Sequence, residues 1–284
     1  MTFSIVACDI RAEEWGVAVA SHSLAIGAVV PWVEAGAGAI ATQAFANVQY
    51  GPHGLSLSRS GSTARETLNQ LIAADPGRDE RQAGVVDARG RSASHTGTSC
   101  LPWAGGRSGR GYAAQGDLLA GPAVIDAMGT SFEESDGRPL AGRLLDALRV
   151  GEAAGGDRRG RQSAAIRIAR ANGRGPGGFD NVPFDLRVDD HPDPIAELAR
   201  LVALFERDAG STPVAEHLPI EGALLVELRA MLTKVGHNST EEPESVMTAL
   251  RAWVAGENLG ARWWGDPQLD PVVLQRLRDF ANRG

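Results

Sequence analysis

Apolar positions crowd the start of the chain without a clean polar face. Phe3-Ser4-Ile5-Val6-Ala7-Cys8 and Gly16-Val17-Ala18-Val19-Ala20-Ser21 read as two strands joined by a polar loop that holds Glu13 and Glu14. The loop is short enough for an antiparallel hairpin. Small or apolar residues on both faces imply strands covered on both sides, since a half-solvated strand would alternate. Shorter apolar runs over 28–33 and 37–42 predict two more strands. Thr63 and Glu66 then have the spacing of a capping box, followed by Leu68, Leu71 and Ile72 on one helical face. Pro76-Gly77 closes that helix.

A strand pair over 82–88 and 91–95 follows, turning at Arg89-Gly90. Two helical segments come next, one over 123–128 and one opening at Pro139 with a stripe of Leu140, Leu144, Leu145 and Leu148. The glycine-rich loop 155–160 leads into strands over 163–169 and 184–189, which flank a loop over 173–178. Asp193-Pro194 caps a helix bearing Ile195, Leu198, Leu201, Val202 and Phe205. Helices arriving in groups between strand pairs disfavour a doubly wound parallel sheet. They predict an α+β fold of antiparallel sheets covered by helices. Beyond about residue 211 the strand signals stop and three helical segments remain, over 221–232, 243–254 and 271–280. The expected organisation is a main domain over 1–210, a junction over 211–217 and a small all-helical domain over 215–284. Within the latter, Trp253 shares a stripe with Val246 and Leu250, whereas Trp263 and Trp264 fall in a connection.

Composition narrows the function. The chain has 284 residues, 43% hydrophobic and 22% charged, and a net charge of −7. That acidic balance argues against a nucleic-acid partner. Lys234 is the only lysine among 28 cationic side chains. Cys8 and Cys100 form neither a disulfide framework nor a metal-binding spacing, so no metal and no cofactor is expected. The longest apolar stretch, 24–45, is broken by Pro31, Glu34 and several glycines, and no basic region precedes the first apolar run. A cytoplasmic protein with no membrane association is the expectation.

The strongest chemical candidate is Thr2. Initiator methionine is commonly removed before a small residue. The product would carry an α-amine and a hydroxyl on one residue at the start of a buried strand. Such a hydroxyl attacks a carbonyl while the adjacent amine, with a reference pKa near ~8, accepts its proton.

Several motifs carry a family resemblance. They are Thr2-Phe3-Ser4-Ile5-Val6-Ala7 with Asp9, Gly16-Val17-Ala18-Val19-Ala20-Ser21, Val30-Pro31-Trp32, and Ala41-Thr42-Gln43 with Asn47, Tyr50-Gly51 and Gly54-Leu55. Further along are His95-Thr96-Gly97 with Cys100, Gln115-Gly116-Asp117-Leu118-Leu119-Ala120-Gly121, the run from Ala154 to Gly160 with Gln162-Ser163, and Asp185-Leu186-Arg187-Val188-Asp189-Asp190-His191. Together they resemble the bacterial and archaeal family catalogued as domain of unknown function one-thousand-and-twenty-eight, over about residues 2–210. That family is placed among the Ntn-hydrolases. Residues 215–284 are similar to a helical extension labelled peptidoglycan-binding in some members.

The resemblance implies a four-layer αββα sandwich and amide-bond hydrolysis of a small-molecule or peptide substrate. Proteasome-type relatives keep a lysine on the third strand. Residues 28–33 contain no charged residue, so the Thr2 amine must act as base with polar help. Ser21 would lie beside Thr2 across the hairpin, followed by His22. Asp157 corresponds to the region from which such relatives supply a carboxylate near the amine. Gln43 and Asn47 follow the fourth strand, where amides could serve an oxyanion hole. His95 is a candidate general acid or substrate contact. Thr2, Ser21, Asn47, His95 and Asp157 thus form the expected catalytic set, with His22, Gln43, Arg158 and Gln162 as substrate contacts. The alternative is a non-catalytic binding or scaffold protein on the same fold, its helical tail docking a partner or cell-wall glycan. Helical outer faces would also allow a homo-oligomer.

Overall fold

The computed structural model describes residues 2–171, 181–209, 216–263 and 267–283. The chain divides into two compact units, Met1–Arg200 and Leu201–Gly284. Among the described residues no helix is long and apolar enough to cross a membrane.

The first unit is mixed α+β. Strands β1 (Thr2–Asp9) and β2 (Glu14–Ser21) form the expected antiparallel hairpin, with Thr2 opposite Ser21. They lie in the middle of a six-stranded sheet. The other members are β7 (Gly105–Gly109), β8 (Tyr112–Asp117), β9 (Ser163–Arg170) and β10 (Phe184–Val188), in the order β10-β9-β2-β1-β8-β7. A second sheet runs β3-β4-β5-β6, from β3 (Pro31–Glu34), β4 (Gly38–Ala44), β5 (Arg81–Asp87) and β6 (Ser92–Thr96). Every pairing in both sheets is antiparallel.

Alternation along each strand sorts its side chains onto two faces. Ala39, Ala41 and Val86 of the second sheet join Val6, Val17 and Val19 of the first in one apolar cluster, so the sheets pack face to face. Ile40, Ala83 and Val85 point the other way, into a cluster with Leu55, Leu68 and Leu71. Those leucines belong to α1 (Tyr50–Arg59) and α2 (Ala64–Ala74), which cover the second sheet. Helices α3 (Ala123–Glu134) and α4 (Leu140–Ala153) cover the first. Burial of β1 and β2 on both faces accounts for their lack of a polar side.

Local signals worked where they were complete. Thr63 and Glu66 make the capping box of α2, each side chain bonding the other's backbone N–H. Asp193 caps α5 (Pro194–Ala209), accepting from Ala196 N at 3.3 Å. Pro139 sits one position earlier than expected, as the N-cap of α4 rather than its first turn.

Other expectations need correction. The strand expected over 28–33 is a short 3-10 turn, Ile26–Ala28, followed by β3 from Pro31. The hydrophobic pattern predicts no element over 50–59 or 105–117, yet α1, β7 and β8 occupy them. Gly51 and Gly54 give α1 a weak intrinsic helix preference. They are there for close approach: a Cβ on Gly51 would stand 2.1 Å from the Trp32 ring, and one on Gly54 2.3 Å from Ile40. Strand β8 reads Tyr-Ala-Ala-Gln-Gly-Asp, with neither β-branched residues nor alternation, and is held by pairing with β1 and β7. The loop over 173–178 lies outside the described residues, as do residues 211–215 of the expected junction and Trp264.

Among the described residues, the second unit's regular elements are helices and the two-residue strands β11 (Leu218–Pro219) and β12 (Gln268–Leu269). Its core joins Leu228 and Leu232 of α6 (Gly222–Lys234), Leu250 and Trp253 of α7 (Pro243–Gly256), and Leu277 of α8 (Pro271–Ala281). Buried Arg262 pairs with Asp270 at 2.8 Å and donates to the carbonyls of Glu206 and Arg207. A cation thus satisfies carbonyls that the end of α5 leaves open.

Candidate active site around Thr2

Thr2 opens β1, a central strand, so its neighbours on both sides are set by register. Ser21 faces it across β2 and Asp117 across β8. The Thr2 hydroxyl donates to Ser21 Oγ at 3.1 Å. The Thr2 backbone N–H donates to Asp117 Oδ1, also at 3.1 Å. All three residues are buried. Burial pushes the Asp117 carboxyl above the usual carboxylate range, and the nearby Asp157 charge adds to the shift, while the Thr2 N–H opposes it.

Beneath Thr2 the space between the sheets turns polar. Gln115 donates to Ser4 Oγ at 2.6 Å, Ser4 to Gln43 Oε1 at 2.5 Å, and Gln43 to Gln82 Oε1 at 2.8 Å. Gln82 donates onward to the Gly116 carbonyl at 2.8 Å and to Thr96 Oγ1 at 2.9 Å. Gln43 also donates to the Thr2 carbonyl at 3.0 Å. Such a chain is costly to disturb, because any orphaned amide would remain buried. It clamps the start of β1 to the second sheet and leaves the Gln43 amide bonded inside the protein.

Asp157 lies on the glycine-rich loop as expected, but it does not reach the Thr2 nitrogen. Its oxygens accept from the Arg159 guanidinium at 2.8 Å and from His22 N at 3.1 Å. The loop docks on the end of β8, through an isolated bridge between Leu119 and Asp157 and a bond from Arg158 N to the Leu118 carbonyl. The carboxylate at the Thr2 nitrogen is Asp117, which sequence analysis quoted only within a motif. Finding it requires β8 as a strand and its register against β1.

The remaining candidates have partners of their own. Asn47 donates to Asp75 Oδ2 at 3.0 Å. The His95 ring is engaged with the Arg78 carbonyl at 3.1 Å, on edge strand β6. Gln162 bonds Asp190 at 3.2 Å, and its N–H donates to the Ser21 carbonyl. The His22 and Arg158 side chains are exposed. The structure therefore gathers Thr2, Ser21 and Gln43 with Asp117, pairs Asp157 with Arg159 and His22 N, and bonds Asn47 to Asp75 and the His95 ring to the Arg78 carbonyl. Among the described residues no cluster of three or more His, Cys, Asp or Glu could hold a metal ion.

A cavity of about 120 Å³ opens at Asp117, lined also by Ala44, Phe45, Ser99, Cys100 and Leu101. Burial raises the Cys100 thiol above its ordinary value, which keeps that wall neutral.

Fold and site together define a mixed α+β protein whose second residue is held, by nitrogen and by hydroxyl, between two central strands. The family described as "Family of unknown function (DUF1028)" matches residues 2–198, and the chain belongs to it. The crystal structure of protein SPO2555 from Silicibacter pomeroyi, of the same family, is similar at 29% identity and a TM-score of 0.65. The likeness covers 80% of this chain and 92% of that one. No curated protein matches the chain.

Proposed function

We propose that this protein is an N-terminal-nucleophile amidohydrolase on a four-layer αββα sandwich of the Ntn-hydrolase type. One observation carries the reading: Thr2 has its nitrogen on Asp117 and its hydroxyl on Ser21, at the start of a central strand. Removal of Met1 turns that nitrogen into a free amine. The amine takes the proton of Thr2 Oγ as the oxygen attacks an amide carbonyl. The C–N bond breaks, the proton passes to the departing amine, and an ester to Thr2 remains. Water attacks the ester, the Thr2 amine accepts its proton, and the acid leaves as Thr2 Oγ regains hydrogen. Asp117 holds and orients the amine; Ser21 orients the hydroxyl. Residues 1–200 contain no lysine, so within that unit the Thr2 amine is the base.

Intact-mass measurement of the purified protein tests the first requirement, a chain beginning at Thr2. Thr2→Ala should abolish hydrolysis of an acyl anilide with only a small drop in melting temperature, from the loss of its buried bond to Ser21. A mature chain that retains Met1 overturns the reading.

A further inference from the structure

The glycine-rich loop carries a cation beside its buried acid. We propose that Arg159 is a positioning residue of the Thr2 site: held by Asp157, it cancels that buried charge and leaves Asp117 as the anion at the Thr2 nitrogen. This inference rests on the hydrolase reading of Thr2.

Placement comes first. Strand β1 lies between β8 and β2. On the β8 side, Leu119 and Asp157 form a bridge, Arg158 N donates to the Leu118 carbonyl, and Ala120 N donates to the Gly156 carbonyl, each bond 3.1 Å long. On the β2 side, Gln162 N donates to the Ser21 carbonyl at 3.0 Å, and Asp157 Oδ2 accepts from His22 N at 3.1 Å. The loop is thus tied to both neighbours of β1, beside the end where Thr2 begins. The bonds on the β8 side run antiparallel, so the step from Asp157 to Arg159 leads back from Leu119 toward Asp117. Gly156 and Gly160, with φ of 50° and 109°, bracket the segment and let it turn at both ends.

Charge comes second. The Asp157 side chain is 1% exposed. It accepts from Arg159 N at 2.9 Å, Nε at 3.1 Å and Nη2 at 2.8 Å. A carboxylate buried this deeply needs such partners. Burial favours the protonated form of Asp117, and the Asp157 charge adds to that, whereas the chain's N-terminus, the Thr2 N–H and Arg159 oppose it. A protonated Asp117 would have no charge with which to hold the amine. The other groups around the site are Cys100, whose thiol burial raises, and the exposed His22, whose ring lies beside Gly160. Gln43 and Gln82 face it from the second sheet without charge. Removing the guanidinium therefore leaves two acids near one amine. The amine becomes harder to deprotonate and Asp117 harder to ionise.

The test compares full-length chains beginning at Thr2: the parent, Arg159→Met, Asp157→Asn and the double variant, each shown by thermal unfolding to be folded. One readout is an NMR titration of the Asp117 carboxyl carbon, which needs no turnover. The other is the pH profile of kcat/KM on acetyl, butyryl and alanyl p-nitroanilides. Arg159→Met should raise the Asp117 midpoint and move the acid limb up by about one pH unit, a loss of about tenfold at a fixed pH on that limb. Asp157→Asn should move both down. The double variant should return both close to the parent, and Arg159→Lys should keep them there. A loop that merely braces the fold would lose activity equally at every pH. That result, or shifts of one sign in both single variants, overturns the role of Arg159 and leaves the hydrolase reading intact. No turnover of any anilide by the parent, with Asp117 shifting as stated, overturns the hydrolase reading and leaves the charge arrangement standing; without the shift, both fall.

Discussion

The Thr2 nitrogen and Asp117 Oδ1 are 3.1 Å apart, a contact spanning 115 residues of sequence that exists because β8 pairs with β1. A carboxylate at that distance favours the charged form of an amine and so raises its pKa. The amine must be neutral to act as base, so activity should rise with pH through its titration. Asp117→Asn removes the charge and lowers the amine pKa. The acid limb of the kcat/KM profile should therefore move to lower pH, while kcat at its plateau falls through looser orientation. A pH profile unmoved by the substitution would exclude Asp117 from contact with the working amine.

Ser21 accepts the Thr2 hydroxyl in a fully buried setting. Ser21→Ala leaves that hydroxyl short of a partner at a cost of about 1 kcal/mol. The expected result is a small drop in melting temperature with a kcat loss of about tenfold or more, and KM little changed. Steady-state kinetics beside thermal unfolding separates the two effects.

Helix α1 rests on glycine. A methyl group added at Gly51 would overlap the Trp32 ring at 2.1 Å. Gly51→Ala should destabilise the protein by about 1–3 kcal/mol despite alanine's better helix propensity. Denaturant unfolding measures it, and a stabilised Gly51→Ala protein would mean that α1 does not pack this closely.

Asp75 gives a pH signature. Burial alone would raise its carboxyl, but donors from Asn47, Arg81 and Gly77 N outweigh it and hold the group well below the usual range. A carboxyl whose pKa is lowered by folding stabilises the protein above its unfolded pKa, about 3.9, and the contribution is lost as pH falls toward the folded value. Asp75→Asn should cost on the order of 2 kcal/mol at neutral pH, since it removes the charge to which Asn47, Arg81 and Gly77 N donate. The gap from the parent protein should begin to narrow as pH falls below about 4 and shrink further toward the folded value. Unfolding curves at several pH values check this, and a gap independent of pH would place the loss in packing instead.

Much of the architecture is legible because its signals are local. The Thr63–Glu66 box, the leucine stripe of α4 and the β1–β2 hairpin each involve residues within a few turns or one short loop of each other. Ser21 was found beside Thr2 for the same reason. Asp117 was passed over because its strand has no periodic pattern of its own. The family resemblance points to Asp157 for the amine, whereas Arg159, two residues away, and His22 N hold its oxygens. Asn47 bonds Asp75 and the His95 ring engages the Arg78 carbonyl, partners that lie on distant segments and that no local pattern announces.

By itself, the sequence determined which segments are buried on both sides, where most helices begin and end, and that a threonine with no lysine near it in the chain stands second. Those properties follow from periodicity and capping, which act over a few residues. Only the tertiary structure decided which distant strand flanks Thr2, and so which carboxylate meets its nitrogen. It also brought residues 44–45, 99–101 and 117 around one cavity. Strand register and sheet packing are settled by the burial of whole faces at once, and no short window of sequence contains that sum.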